Sequence, residues 1–287
     1  MLSTGDHHRT LTAAGRLRDY RVHVPPLEPA CAGWPVVLAF HGGGVDARMM
    51  VRFCGLNETA DRAGFIVVYP NGTGRVESAR TWNAGDCCGL AQREGVDDVQ
   101  FVELLLADLQ SQIRVDPQRI YATGFSNGAM LAYLLADRLS DQLAAIAPVA
   151  GPMATDGCRP ARGVSICHLH GTRDDFTPYH GGVGGKSLHR ADFHSVEFSI
   201  QCWVRANGCH PQPRTDTLPE RVADGTSVIR SIYSGGRDDS EVVLLAIQNA
   251  GHVWPGRASL FSILGKSTGN LDACAVIWEF FEHRRRS

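Results

Sequence analysis

Six short, nearly unbroken apolar runs constrain this chain more than anything else in it: residues 35–40, 65–69, 120–123, 145–149, 164–169 and 242–247. They are of strand length, rich in β-branched residues, and separated by stretches with helical spacing, the alternation that builds a mostly parallel sheet. Crossover helices cover both faces of such a sheet, so its strands carry no polar face. Segment 20–24 alternates instead and predicts an antiparallel edge. Between the strands, 98–113 has Leu and Val at helical spacing behind an N-cap at Asp97 or Asp98, and 127–139 follows a glycine-bounded turn; both predict crossover helices. Segments 188–206 and 271–283 predict two more. No internal repeat or Pro/Ser-rich linker divides the chain, and 287 residues fit one α/β core. The expected organisation is one domain over 1–287, with 181–206 the candidate for a small cap. Its Gly-rich start and its charged Lys186, Arg190, Asp192 and Glu197 suit a polar rim.

Composition narrows the function classes. Hydrophobic residues make up 44% of the chain and charged residues 20%, the balance of a globular protein with a large core. The formal net charge of -2 is spread without a basic stripe, which argues against nucleic acid as a partner. The one basic run, Arg284-Arg285-Arg286, reads as a solvated tail. No apolar run approaches the roughly 18 residues needed to cross a bilayer, so no membrane span is expected. Residues 1–10 include Asp6, His7, His8 and Arg9 and lack the apolar segment of a secretory signal, which leaves a cytosolic protein or one whose signal has been removed. Nine cysteines are many for a cytosolic enzyme, and none falls into a CxxC pair. Cys167 lies in an apolar run and reads as a buried thiol, whereas Cys87, Cys88, Cys158, Cys202 and Cys209 sit near loop-like sequence where disulfides are expected.

The chemistry-bearing segments fall at the C-terminal ends of the predicted strands. Gly124-Phe125-Ser126-Asn127-Gly128 follows the strand 120–123 and opens a helix, the context of a nucleophile elbow. A serine attacks a carbonyl only if its oxygen stands clear of the chain, and a tight strand-to-helix turn achieves this where the residues two before and two after are small. After the first apolar run comes His41-Gly42-Gly43-Gly44. Its glycines let backbone N–H groups approach a developing oxyanion, with the N–H of Asn127 as a further donor. The Lys-Ser/Thr pair of a phosphate-binding loop does not follow it. A carboxylate at a strand end suits the task of holding an imidazole in the correct tautomer, and Asp174 and Asp175 both stand beyond the run 164–169. Of the twelve histidines, His252 lies beyond the run 242–247 and completes the order serine, acid, histidine. Asp97 and Asp98 lack a partner at metal-ligand spacing and read as a helix cap, so neither metal nor cofactor is implied.

With these segments in place the sequence resembles the polyhydroxybutyrate depolymerase and feruloyl (cinnamoyl) esterase group of α/β-hydrolases. The resemblance rests on the HGGG loop, residues 82–89 (WNAGDCCG), 96–99 (VDDV), 122–130 (ATGFSNGAM), HGTxD with Pro178-Tyr179, Asn207-Gly208-Cys209 and GHVWPG, which span 36–283 in the group's order. It implies an α/β-hydrolase fold and a carboxylic ester hydrolase working through a covalent acyl-enzyme, with Ser126, Asp174 and His252 as the triad and the N–H groups of Gly43 (or Gly42) and Asn127 as the oxyanion hole. Trp82 and Trp254, in loops beside the site, are expected to contact substrate, together with His41. Feruloyl, other hydroxycinnamoyl or short acyl esters are the expected substrates, small or polymer-linked. Depolymerisation of a 3-hydroxybutyrate polyester is the alternative, and a peptidase or acyltransferase on the same fold a distant one. The group's secreted members would suit the cysteines. The chain departs from the group's pattern at Thr177, where an apolar residue usually precedes Pro-Tyr, and at Asn249-Ala250, which replace glycines.

Overall fold

A computed structural model describes residues 2–76, 79–187, 191–259 and 261–286. Along the chain run β1 (Gly5–Ala13), β2 (Arg16–Val24), β3 (Trp34–Phe40), α1 (Ala47–Cys54), α2 (Leu56–Ala63), β4 (Ile66–Pro70), α3 (Gly89–Arg93), α4 (Asp98–Gln112), β5 (Val115–Phe125), α5 (Asn127–Arg138) and β6 (Ala145–Val149). They are followed by β7 (Ser165–Gly171), β8 (Gly182–Val183), β9 (Asp192–Phe193), α6 (Val196–Asn207), β10 (Arg214–Thr217), β11 (Ser227–Tyr233), β12 (Val242–Gln248) and α7 (Ala273–Glu282).

Ten strands form one sheet in the order β1-β2-β4-β3-β5-β6-β7-β12-β11-β10. The six predicted apolar runs are its centre: β4, β3, β5, β6, β7 and β12 run parallel, and antiparallel ribbons flank them on both sides. This is the α/β-hydrolase fold. Each central strand splits its side chains between two cores. In β3, Val36, Leu38 and Phe40 join Phe101, Leu105, Met130 and Trp203 from α4, α5 and α6; Val37 and Ala39 join Met50, Phe53, Ile277 and Phe281 from α1 and α7. The period-2 geometry of a strand therefore feeds both faces, which is why the runs show no polar side.

Sequence patterning found the antiparallel strand at 20–24, part of β2, and missed the other strands of the outer ribbons. β1 is polar along much of its length and is held by its ladder to β2 and by a bidentate Arg9–Asp108 pair, at 2.7 and 2.8 Å, that ties it to α4. The buried Arg18–Asp98 pair, 2.7 Å apart, joins β2 to the first turn of α4, while Asp97 caps that helix by accepting from Gln100 N. The acidic pair thus does two structural jobs. Of the two residues that the sequence offered as the cap, Asp97 takes that place. Of the helix predicted over 188–206, Leu188, His189 and Arg190 lie outside the described residues, and the helix itself begins at Val196. It is a core crossover element: Ile200 and Trp203 are buried, and Asn207 Nδ2 donates to Val164 O at 2.7 Å. The basic C-terminus is also no free tail, since Arg284 pairs with Glu241 and Arg286 N donates to Gln118 O. Among the described residues no helix is long and apolar enough to cross a membrane. Adjacent Cys87 and Cys88 are joined as a disulfide, Cys158, Cys202 and Cys209 remain thiols, and Cys167 is buried as a thiol.

Candidate active site

Between β3 and β5 the strand order reverses direction, and in open α/β sheets the crevice beyond the strand ends at such a point receives the ligand. Gly42 and Gly43 leave β3 there, and Ser126 leaves β5. Ser126 has φ 56° and ψ −120°, a left-handed backbone that a β-to-α turn imposes on a residue with a side chain. The turn closes because its flanking glycines have no Cβ: one at Gly124 would lie 2.4 Å from Gly128 O, and one at Gly128 would lie 2.4 Å from Phe40 O. Ser126 N donates to Val149 O at 2.9 Å, fixing the turn to β6.

His252 follows β12, and its loop is anchored by donation from its N–H to Leu264 O at 2.7 Å. Its ring is stacked against Phe176 (4.9 Å between centroids) and packs on Phe125 (4.6 Å). Nδ1 lies 2.7 Å from Asp174 Oδ2. Asp174 is buried at the end of β7, and its other oxygen accepts the N–H groups of Phe176 and Thr177 at 2.8 and 2.9 Å. Burial alone would raise this carboxyl; the His252 charge and the hydrogen bonds from His170 and His252 outweigh it and hold the group well below the ordinary carboxylate range. Asp175, by contrast, is exposed and pairs with Lys186. Of the two aspartates that the sequence allows, only Asp174 meets the imidazole.

Ser126 and His252 face one cavity of about 150 Å³, which Gly42, Gly43 and Asn127 also line. Asn127 opens α5, where an N–H has no intrahelical acceptor, and its side chain bridges Trp82 through Oδ1 from Trp82 N (2.7 Å) and Nδ2 to Trp82 O (3.2 Å). The remaining wall is mostly apolar, with Met49, Met50 and Phe53 from α1, Met130 from α5, Phe176 from the loop after β7 and Phe193 from β9. Sequence reasoning did not single these out. Their available signal was the amphipathic segment directly after the glycine loop.

The expected substrate contacts of Trp82, Trp254 and His41 are corrected, because all three are fully buried and lie outside the cavity wall. Trp82 Nε1 donates to His41 O at 2.9 Å, and its ring meets Phe40 edge-on. Trp254 packs against Phe53. His41 Nδ1 donates to Gly42 O at 2.7 Å, and Nε2 accepts from Gly72 N at 3.0 Å; burial brings its pKa down to about 4. These groups hold the loops that carry the site.

A family model described as esterase PHB depolymerase matches residues 18–175. A putative esterase NocK of Nocardia uniformis subsp. tsuyamanensis is 32% identical over 259 residues, covering 86% of this chain and 74% of that protein. Feruloyl esterase B of Piromyces equi is 33% identical over 198 residues, 66% of this chain but 34% of its own length. Among solved structures, an acetyl xylan esterase from Aspergillus awamori superposes with a TM-score of 0.59 over 86% of this chain and 94% of its own at 14% identity, a likeness of fold.

Proposed function

From the premise that the chain belongs to the esterase PHB depolymerase family and is a carboxylic ester hydrolase, we propose that Ser126, His252 and Asp174 are its catalytic triad, acting through a covalent acyl-enzyme. The observation that carries this is the 2.7 Å contact of His252 Nδ1 with Asp174, with His252 facing the same cavity as the elbow serine. With its Nδ1–H given to Asp174, His252 keeps the Nε2 lone pair for the Ser126 proton. As that proton moves, Ser126 Oγ bonds to the acyl carbon. The tetrahedral oxyanion is held by the N–H groups of Asn127 and of Gly43 or Gly42. Collapse breaks the ester bond, and the departing alcohol takes the proton from His252. Water then attacks the acyl carbon, passing a proton to His252 as its oxygen bonds. The acid leaves when the acyl–Ser126 bond breaks and the serine oxygen regains that proton.

The acyl group is a feruloyl or other hydroxycinnamoyl group, or a short chain. A small cavity walled by Met49, Met50, Phe53, Phe176 and Phe193 offers flat contacts and no long channel. The family description favours a second reading, hydrolysis of a 3-hydroxybutyrate oligomer, and Phe261, which is half-exposed yet lines the cavity, offers such a chain an apolar rim. The test compares kcat/KM for methyl ferulate, a 3-hydroxybutyrate oligomer and a C16 ester, with Ser126→Ala as control. Preference for ferulate is expected, preference for the oligomer selects the second reading, and preference for the C16 ester refutes both. A folded Ser126→Ala enzyme keeping a tenth of the activity would remove Ser126 as nucleophile.

A further inference from the structure

Behind the triad acid lies a row of buried polar groups for which the mechanism above has no use. His170 Nε2 lies 2.8 Å from Thr177 O and 3.3 Å from Asp174 Oδ2. His170 Nδ1 is 3.0 Å from His168 Nε2, and His168 Nδ1 is 2.9 Å from the Tyr133 hydroxyl. Tyr133, His168 and His170 are at most 1% exposed. Burying three polar side chains is costly unless each donor meets an acceptor, so the proton positions follow from counting. A ring nitrogen that faces a carbonyl and a carboxylate oxygen carries hydrogen, which places the His170 proton on Nε2 and leaves Nδ1 as acceptor. His168 then donates from Nε2 and accepts at Nδ1, and the Tyr133 hydroxyl donates to it. Burial holds His168 well below its ordinary pKa, in keeping with a single ring proton. Reversing the row would require a second proton on His170 and would leave the Tyr133 hydroxyl proton without an acceptor among the described residues.

We propose that Tyr133, His168 and His170 form a one-way hydrogen-bond chain that positions the triad acid, with His170 as the positioning residue. Its terminal N–H fixes the carbonyl of Thr177, the residue whose N–H holds Asp174 Oδ1, and closes the edge of Oδ2 away from His252. The carboxylate is thereby gripped at both oxygens and keeps the lone pair that meets His252 Nδ1. The Thr177 hydroxyl, 3.1 Å from Oδ2 and 2.9 Å from Ala150 O, packs beside the same contact. This inference rests on the triad reading, and the measurements below separate the two.

Nitrogen-15 NMR of the histidine-labelled wild-type enzyme reads the tautomers without turnover. Nε2–H with an unprotonated Nδ1 is expected at both His168 and His170; a doubly protonated or Nδ1–H His170 overturns the chain. In kinetics, His170→Leu should lower kcat about 10- to 100-fold at nearly unchanged KM, the usual cost of losing a group that orients a reacting one. His170→Gln, which keeps an N–H near the Nε2 position, should recover most of that loss. Titration of reactive sites with a fluorophosphonate counts the folded enzyme, so a leucine variant whose kcat per labelled site is unchanged overturns the proposal. So does failure of the glutamine variant, if folded, to exceed the leucine variant. Turnover retained by Ser126→Ala would sink the triad reading alone, since the NMR result stands without it.

Discussion

Replacing Asp174 by asparagine tests the site most sharply, because the structure dictates which way the amide must turn. The carboxylate receives two backbone N–H groups on Oδ1, from Phe176 and Thr177, and these cannot rotate away. Two N–H groups at 2.8 and 2.9 Å outweigh the longer 3.3 Å His170 contact at Oδ2, and the Thr177 hydroxyl can accept while donating to Ala150 O, so the asparagine oxygen takes the Oδ1 side and its NH2 stands where Oδ2 now accepts from His252 Nδ1. His252 then has to accept at Nδ1 and carry its proton on Nε2, the tautomer unable to take a proton from Ser126. A wrong tautomer of this kind, in the serine protease where it has been measured, costs about 10⁴ in kcat, or about 5 kcal/mol at 1.36 kcal/mol per tenfold. Asp175→Asn removes only an exposed pair with Lys186, and pairs of that type are worth about 0.2–1 kcal/mol, so kcat should change less than about fivefold. Steady-state kcat on a soluble aryl ester, normalised to folded enzyme by near-UV circular dichroism, gives both values. An Asp174→Asn enzyme keeping more than about a tenth of wild-type kcat, or a larger loss for Asp175→Asn, refutes the reasoning.

Other outcomes follow from particular contacts. A Cβ at Gly42 would lie 3.1 Å from Phe125 Cδ1, on the ring that packs against His252, whereas at Gly43 its nearest neighbours are 3.7–3.9 Å away. Gly42→Ala should therefore lower kcat by about tenfold or more and Gly43→Ala by less than about threefold, and the reverse order in a parallel assay would contradict this. His41 is buried without its second proton, so between its native value near 4 and the ordinary 6.5 the unfolded chain binds a proton that the native chain does not. Stability should accordingly fall as pH drops through that window, by about 3 kcal/mol at its lower end, and urea unfolding of His41→Gln should show a flatter slope with pH. Arg18→Met strands the Asp98 carboxylate in the core and should cost about 3–5 kcal/mol in urea unfolding, with a cost under about 1 kcal/mol counting against the buried pair.

The sheet's centre was legible because its strands are apolar on both faces, and the elbow because Gly124 and Gly128 sit where any Cβ would strike backbone. The edges were not. β1 earns its place through its ladder and Arg9, features that leave no hydrophobic period in the sequence. Which glycine of the loop is crowded is not written in the sequence around it: Gly42 is tight and Gly43 roomy, a difference set by the Phe125 ring from a strand distant in sequence. Trp82 and Trp254 show the same limit. Closeness to a motif places a residue near the site but does not say whether its side chain turns toward the cavity or into the scaffold. α1 was missed because an eight-residue segment gives too few turns for its period to stand out, yet it supplies much of the cavity wall.

The reversal of strand order between β3 and β5 has a consequence for how the molecule comes into being. The glycine loop and Ser126 are made early, in the first half of the chain, whereas His252 arrives only with the loop beyond β12, which must dock against β7 before its imidazole reaches Asp174. On the proposed triad, a nascent chain that has reached the elbow serine has no base to activate it, and hydrolytic power switches on only once the segment through His252 has been made and docked. Ester turnover during translation is a clock for completion of this sheet.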